Sequence, residues 1–276
     1  MLDAHQHFWK VDRDDYSWMT PDLKPLYRDF GPGDLAPLLE RAGITRTVLI
    51  QAAETEAETD FLLEIAASTD FVAGVVGWVD MLADDFPARL AHYSTQPKWV
   101  GIRPMLQEHD PSLIADPRFR AALAEIARRR IPFDILTYPQ HLGAMVQAVQ
   151  ATRGLHAILD HISKPDMTRP LDAKWCSEIK ALAAVPGVYC KISGLVTEAG
   201  ANWSIDRIRP FVEFVAHAFG PDRLVFGSDW PVCTLAASYA QVLEIAQSIL
   251  GNLYGQEQMQ AVMETNGQRF YRLERR

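Results

Sequence analysis

The chain opens on Leu2-Asp3-Ala4-His5-Gln6-His7-Phe8, a short apolar run carrying two imidazoles two residues apart. Side chains alternate along an extended strand, so His5 and His7 share one face. A neutral imidazole pair binds a metal or donates hydrogen bonds to developing negative charge. Ile158-Leu159-Asp160-His161 closes a second apolar run with a carboxyl and an imidazole. Strict alternation sends one of those two inward. A third run, Leu224-Val225-Phe226-Gly227-Ser228-Asp229, ends on a carboxylate beside Trp230 and Pro231, and a proline cannot extend a sheet interior. Singly, each group has a plain structural use: incidental strand histidines, a core histidine, an aspartate capping the next loop. Brought together, they make a carboxylate flanked by three imidazoles.

Eight apolar runs rich in β-branched residues offer strands to carry them: Leu2–Phe8, Thr47–Ala52, Val72–Val79, Trp99–Arg103, Pro132–Leu136, His156–His161, Val188–Ser193 and Leu224–Asp229. Several lack polar alternation, as in Thr47-Val48-Leu49-Ile50, which suits parallel strands buried on both faces. Helical segments lie between them. Asp34 is placed as an N-cap before Leu35, Leu38 and Leu39. Asp116-Pro117 opens a helix through Arg130 with Phe119, Leu123 and Ile126 on one face. Residues near 55–67, 140–151, 171–184, 204–219, 237–250 and 256–266 also read as helices. Eight units over 276 residues leave roughly 34 residues each, the spacing of an α/β (β/α)8 barrel. A doubly wound sheet fits less well, since no GxGxxG follows the first strand. No composition break marks a linker, so residues 1–276 read as one barrel domain. The connection from Trp9 to Pro32 is long and holds Trp9, Tyr16, Trp18, Met19 and Tyr27. It either covers a site at the C-terminal face of the barrel or packs its aromatics onto itself.

Formal charge is −8. The basic blocks Arg128-Arg129-Arg130 and Arg275-Arg276 are short, which argues against nucleic acid as a partner. Three scattered cysteines, Cys176, Cys190 and Cys233, suit a reducing compartment. No secretory leader or run long enough to span a membrane is expected, so a cytoplasmic location is. A homo-oligomer remains open.

The three strand ends, together with Val100-Gly101-Ile102-Arg103-Pro104 and Lys191-Ile192-Ser193-Gly194-Leu195, resemble the amidohydrolase superfamily along essentially the whole chain. The resemblance is to its small lactonase branch, which includes L-fuconolactonases, L-rhamnonolactonases and pyrone-dicarboxylate lactonases. It implies a (β/α)8 barrel and a hydrolase. It implies Asp229 as general base, and His5, His7 and His161 as groups that hold a divalent ion or, without metal, polarise a carbonyl. The carboxylated lysine of two-metal relatives has no counterpart: strand five reads Pro132-Phe133-Asp134-Ile135-Leu136-Thr137-Tyr138, and His141 comes later. The expectation is therefore one zinc on His5, His7, Asp229 and His161, or none.

Other strand ends suggest substrate contacts: Gln51, Trp78, Arg103, Lys191 and Trp230. Arg103 suits a carboxylate or vicinal hydroxyls, or else a salt bridge between loops. Lys191 suits a product carboxylate or a neighbouring Asp. Trp78 and Trp230 suit stacking on a sugar, or core packing. So few cations point to a neutral polyol lactone as substrate. A metal-dependent decarboxylase or amidase is the competing enzymatic reading, and a barrel that only binds a sugar or metabolite is the other.

Overall fold

The computed structural model describes residues 1–273; Glu274 and the basic pair Arg275-Arg276 lie outside the described residues. Eight strands form one parallel sheet in the order of the sequence: β1 (Leu2–Gln6), β2 (Arg46–Ile50), β3 (Val72–Gly77), β4 (Trp99–Ile102), β5 (Phe133–Ile135), β6 (Ala157–Leu159), β7 (Val188–Ile192) and β8 (Leu224–Phe226). Beyond the end of β8 the chain pairs with β1 and closes the barrel. Asp229 N donates to His5 O at 2.8 Å and His7 N to Trp230 O at 2.7 Å. Gly227 permits this approach, because a Cβ there would lie 2.5 Å from the Cβ of His5.

The helices that cover the barrel are α1 (Pro32–Ala42), α2 (Glu56–Ala67), α3 (Phe86–Ser94), α4 (Pro117–Arg129), α5 (Pro139–Ala151), α6 (Ala173–Ala183), α7 (Leu195–Ala199), α8 (Ile205–Phe219), α9 (Tyr239–Gly251), α10 (Gln256–Gln260) and α11 (Asn266–Phe270). Their starts follow local chemistry. Thr55, Asp116, Ser204 and Ser238 each accept a backbone N–H of the first turn, satisfying donors that have no partner within the helix. Asp34 is not an N-cap, as its sequence position suggested. The helix begins earlier at Pro32, and the Asp34 carboxylate reaches back to Gly31 N at 3.0 Å. The sequence reading also passed over α3 and α7. In α3, Phe86, Leu90 and Tyr93 are buried on one face, a helical spacing obscured by its short length and early proline. Among the described residues no helix is long and apolar enough to cross a membrane.

Strand alternation sorts the apolar side chains into two layers. Leu49, Val75, Phe133, Ile135, Leu159, Leu224 and Phe226 face outward against the helices. Leu2, Ala4, Val48, Ile50, Val76, Ile158, Tyr189 and Val225 form a separate interior cluster, completed by Phe270, Tyr271 and Leu273 from the C-terminal segment. This segment plugs one end of the barrel, and the Tyr271 hydroxyl donates to Asp134 Oδ2 at 2.7 Å inside it. The interior end of the barrel beneath the chemistry-bearing residues is therefore closed by apolar side chains.

The connection after β1 packs its own aromatics: Trp9, Tyr16 and Phe30 are buried, and Trp9 pairs with Phe30 in both backbone directions. It also docks on the β2 exit, where Trp18 Nε1 donates to Ala52 O at 2.7 Å. Tyr27 remains exposed.

Removing the plug should cost a large fraction of the stability. Phe270→Ala empties a fully buried position and should destabilise by about 3–5 kcal/mol. Denaturant unfolding checks this, and a loss under 1 kcal/mol would contradict the plug.

Candidate active site

The site is assembled where the strands end. In β1 the register shifts between Asp3 and Gln6, and His5 N turns to Asp3 Oδ1 at 3.1 Å. The Asp3 carboxylate, fully buried, also accepts from Ser228 N and from the Tyr239 hydroxyl, so it pins the β1–β8 seam. Beyond the shift, His5 Nε2 and His7 Nε2 lie 3.2 Å apart. The two imidazoles share a face, as the alternation predicts. His7 Nδ1 is 2.9 Å from Ile50 O. A carbonyl only accepts, so His7 carries its proton on Nδ1 and offers a bare Nε2.

At β6 the expected alternation breaks down. It places one of Asp160 and His161 inside; the structure brings in both. Asp160 continues the inward parity of Ile158 and is fully buried. His161, Ile162, Ser163 and Lys164 then take φ values of 51°, 48°, 61° and 48°, a left-handed turn of four non-glycine residues. Each costs roughly 1–2 kcal/mol in isolation, so the surroundings must hold the turn. Ser163 Oγ and Thr137 Oγ1 are 2.8 Å apart, and Trp175 Nε1 donates to Ile162 O at 3.1 Å. The turn swings His161 back over the barrel, with Nδ1 2.9 Å from Ser193 Oγ. Gly194 leaves it room, since a Cβ there would meet His161 Nδ1 at 2.6 Å. Asp229 is also left-handed, with φ 58°, and its Oδ1 faces Nε2 of His7, His5 and His161 at 3.4, 3.7 and 3.9 Å. The four residues singled out in the sequence thus share one buried pocket.

Below them lies a charged layer that was not legible in sequence. Lys191 Nζ, fully buried, is 2.6 Å from Asp134 Oδ2, 2.9 Å from Asp160 Oδ1 and 3.1 Å from His5 Nδ1. Both an ammonium and a guanidinium only donate; Lys191 lies nearer to His5 Nδ1, at 3.1 Å, than Arg103 Nη1 to Nε2, at 3.5 Å, so His5 accepts at Nδ1 and its proton sits on Nε2, pointing at the bare Nε2 of His7. Of the two roles open to Lys191, its contacts are those of the neighbouring aspartates. Arg103, also buried, places Nη1 3.3 Å from Asp160 Oδ2 and donates from Nη2 to Gln51 O. Gln51 returns the contact through Nε2 to Arg103 O at 2.6 Å. These two lock the exits of β2 and β4 together. Trp230 is 3% exposed and packs edge-on against Phe8 and Phe30, the core alternative. Trp78 is half-buried, and its main chain bonds on both sides to the Thr59 hydroxyl. Asp134 is the residue the sequence does not single out, and Asp160 enters there only as the alternative to His161; each keeps the inward parity of its strand, which was the available signal.

Burial sets the protonation of the site. It holds the His5 imidazole far below its ordinary value, with Lys191 and His7 adding to the effect. Burial does the same to His161 and, more mildly, to His7. For Asp229 burial resists ionisation, but His161, the His7 hydrogen bond and Lys164 outweigh it, and its carboxyl lies below the usual carboxylate value. Asp160 is likewise held low, because Lys191 and Arg103 overcome its burial. Burial lifts Asp134 to about 6. At neutral pH the pocket therefore holds an ionised aspartate among neutral imidazoles.

The amidohydrolase family profile matches residues 2–273. The chain belongs to the amidohydrolase family. A Burkholderia ambifaria protein named L-fucono-1,5-lactonase is 40% identical, the alignment covering 99% of this chain and 96% of that one. A Burkholderia multivorans protein of the same name is 36% identical over 89% of this chain and 87% of its own. A Burkholderia multivorans amidohydrolase crystallised with bound zinc superposes with a TM-score of 0.93 at 32% identity, over 99% of both chains.

The spacing of the donor atoms fits such an ion, which an imidazole here can ligate at Nε2 only after giving up any proton held there. Zinc–ligand bonds of about 2.0–2.2 Å place tetrahedral donors roughly 3.3–3.6 Å apart. The contacts of Asp229 Oδ1 and of the His5–His7 pair span 3.2 to 3.9 Å, and one donor atom each from His5, His161 and Asp229 lies within 4.8 Å of the others.

Two outcomes follow. In chelator-treated protein, ring ¹⁵N spectra at pH 6.5 should show neutral His5 protonated on Nε2 and neutral His7 on Nδ1; charged rings, or the opposite tautomers, would refute the donor chain. Lys191→Met leaves two buried carboxylates without their cation and should destabilise by about 3–5 kcal/mol. Adding Asp134→Asn should recover part of that loss in the same unfolding assay.

Proposed function

We propose that this chain, a lactonase of the amidohydrolase family, opens a neutral six-membered sugar-acid lactone of the L-fuconolactone type, with Asp229 as general base. The observation that carries the roles is the convergence of three imidazole Nε2 atoms on one Asp229 carboxylate oxygen, at 3.4 to 3.9 Å. The names of the two Burkholderia relatives support the substrate. In this reading Asp229 takes a proton from a water as its oxygen bonds to the lactone carbonyl carbon. The carbonyl π pair moves onto oxygen, where a neutral imidazole N–H stabilises it. His161 suits this role when Ser193 donates to its Nδ1, which leaves the proton on Nε2. As the carbonyl re-forms, the ring C–O bond breaks, and the proton on Asp229 passes to the departing oxygen. The product is the open hydroxy acid.

General-base assistance contributes about 10²–10⁴-fold, and an oxyanion donor roughly 2.7–4 kcal/mol. Low carboxylate pKa values favour the ionised base, so burial of the histidines serves this scheme by keeping them neutral beside it. A divalent ion held by His5, His7, His161 and Asp229 supplies, when bound, carbonyl polarisation and a more acidic water. Gln51, Arg103 and Lys191 act in this scheme as positioning residues, since Gln51 Nε2, both terminal nitrogens of Arg103 and the Lys191 ammonium are engaged with neighbouring strand ends. Trp78 follows β3 directly at its C-terminal end and stands as the remaining candidate for contact with the sugar.

A panel of sugar lactones assayed for acid release with a pH indicator, with and without chelator, tests the activity. Turnover of a six-membered deoxyhexono-lactone is expected, and no turnover of any lactone would overturn the reading. Asp229→Asn should lower kcat by about 10²–10⁴-fold while the protein still binds a non-hydrolysable sugar lactam. Undiminished kcat would remove Asp229 from the role of base.

A further inference from the structure

Three loops at the mouth of the barrel carry groups that the catalytic scheme leaves unused. Tyr138 follows β5 and starts α5, Lys164 ends the left-handed turn after β6, and Glu198 lies on α7 after β7. Lys164 Nζ is 5.4 Å from the centre of the Tyr138 ring and 3.8 Å from Glu198 Oε1. That last distance is too long for a direct hydrogen bond. The side chains of Lys164 and Glu198 are only 17% and 21% exposed. Among the described residues neither makes a hydrogen bond with its charged group. The ammonium donors and the carboxylate lone pairs thus make no hydrogen bond to the described protein and face the mouth ready for a ligand's polar groups. The aromatic beside them is 38% exposed.

The cluster also adjoins the base: Lys164 closes the same turn that begins with His161, whose Nε2 faces Asp229 Oδ1 at 3.9 Å. Its charges cancel, so it neither attracts nor repels a charged ring strongly. It offers donors, acceptors and an apolar ring face side by side. Adjacent ring hydroxyls present alternating donors and acceptors next to a C–H face, which is the complement of this trio.

We propose that Tyr138, Lys164 and Glu198 form the wall that reads the hydroxyl groups of the substrate ring, with Glu198 accepting from and Lys164 donating to neighbouring hydroxyls. The proposal rests on the lactonase reading only for the identity of the ring. It makes these residues determinants of specificity, distinct from the residues that act on the carbonyl. A site that hydrogen-bonds a hydroxyl discriminates strongly against a ring lacking it, because its own half-buried groups are then left unpaired.

The test compares kcat/KM for L-fucono-1,5-lactone and for unsubstituted δ-valerolactone in the wild type and in Glu198→Gln. The discrimination between the two lactones should fall at least tenfold, chiefly through a higher KM for the sugar lactone. Parallel losses on both lactones would assign Glu198 to the reacting centre or to the fold and overturn the proposal; an unchanged ratio would overturn it as well. Calorimetric titration with the 1,5-lactam of L-fuconic acid provides a readout independent of hydrolysis, and it decides where δ-valerolactone turnover is too slow to measure. Glu198→Gln should bind the lactam at least tenfold more weakly than wild type. Equal binding, or no binding by the wild type, overturns the wall. If the wild type hydrolyses no lactone yet binds the lactam in a Glu198-dependent way, the lactonase reading falls and the wall stands. Circular dichroism confirms folding of the variant, and Glu198→Asp, which retracts the carboxylate, replaces it if Glu198→Gln does not fold.

Discussion

The arrangement of the pocket depends on one buried cation. Lys191 crosses the barrel interior and joins Asp134 on β5, Asp160 beyond β6 and His5 on β1. A lone charge in such a place costs several kcal/mol, and two carboxylates facing each other without a cation cost more. The ammonium between them turns three unfavourable burials into one compensated cluster, which Tyr271 and Arg103 complete from below and from the side. The same cation sets the tautomer of His5, and through it the direction of the His5–His7 contact. Groups that touch no substrate in this scheme thereby determine which nitrogen faces the pocket.

Backbone strain is the second device. His161 through Lys164, and Asp229, all hold positive φ without glycine. Such residues persist where surrounding contacts over-determine them, and they gather at sites that need an awkward aim. Strand parity sends Asp160 downward to Lys191, and the left-handed turn that follows sends His161 inward to Asp229 and Lys164 outward to the mouth. Five consecutive residues serve three levels of one site: charged layer, reacting centre and rim. An ordinary strand end would present alternate residues to only one of these. Ser163, Trp175 and the absence of a side chain at Gly194 supply the supporting contacts.

Much of this was readable in the amino acids. The apolar runs located all eight strands, and the sequence reading extended them by a few residues at the ends where β6 and β8 turn left-handed. His5 and His7 were readable because a period of two is intrinsic to a strand. His161 and Asp229 were readable as polar groups ending apolar runs. Asp134 and Lys191 looked like isolated charges within strands, and nothing in sequence spacing pairs β5 with β7. Trp230 read equally well as a sugar platform or as core, and the neighbouring Phe8 and Phe30 that decide for core come from the far side of the seam.

By itself the sequence determined what is local: strand periodicity and the helix starts at Thr55, Asp116, Ser204 and Ser238. These depend on interactions between residues a few positions apart. Only the tertiary structure decided which charges share a cavity, which nitrogen of each imidazole is bare, and that Asp160 and His161 both turn inward. Those outcomes depend on closure of the barrel. Closure brings β1 beside β8 and sets Lys191 within reach of groups 31 to 186 residues away along the chain, separations across which no spacing rule operates.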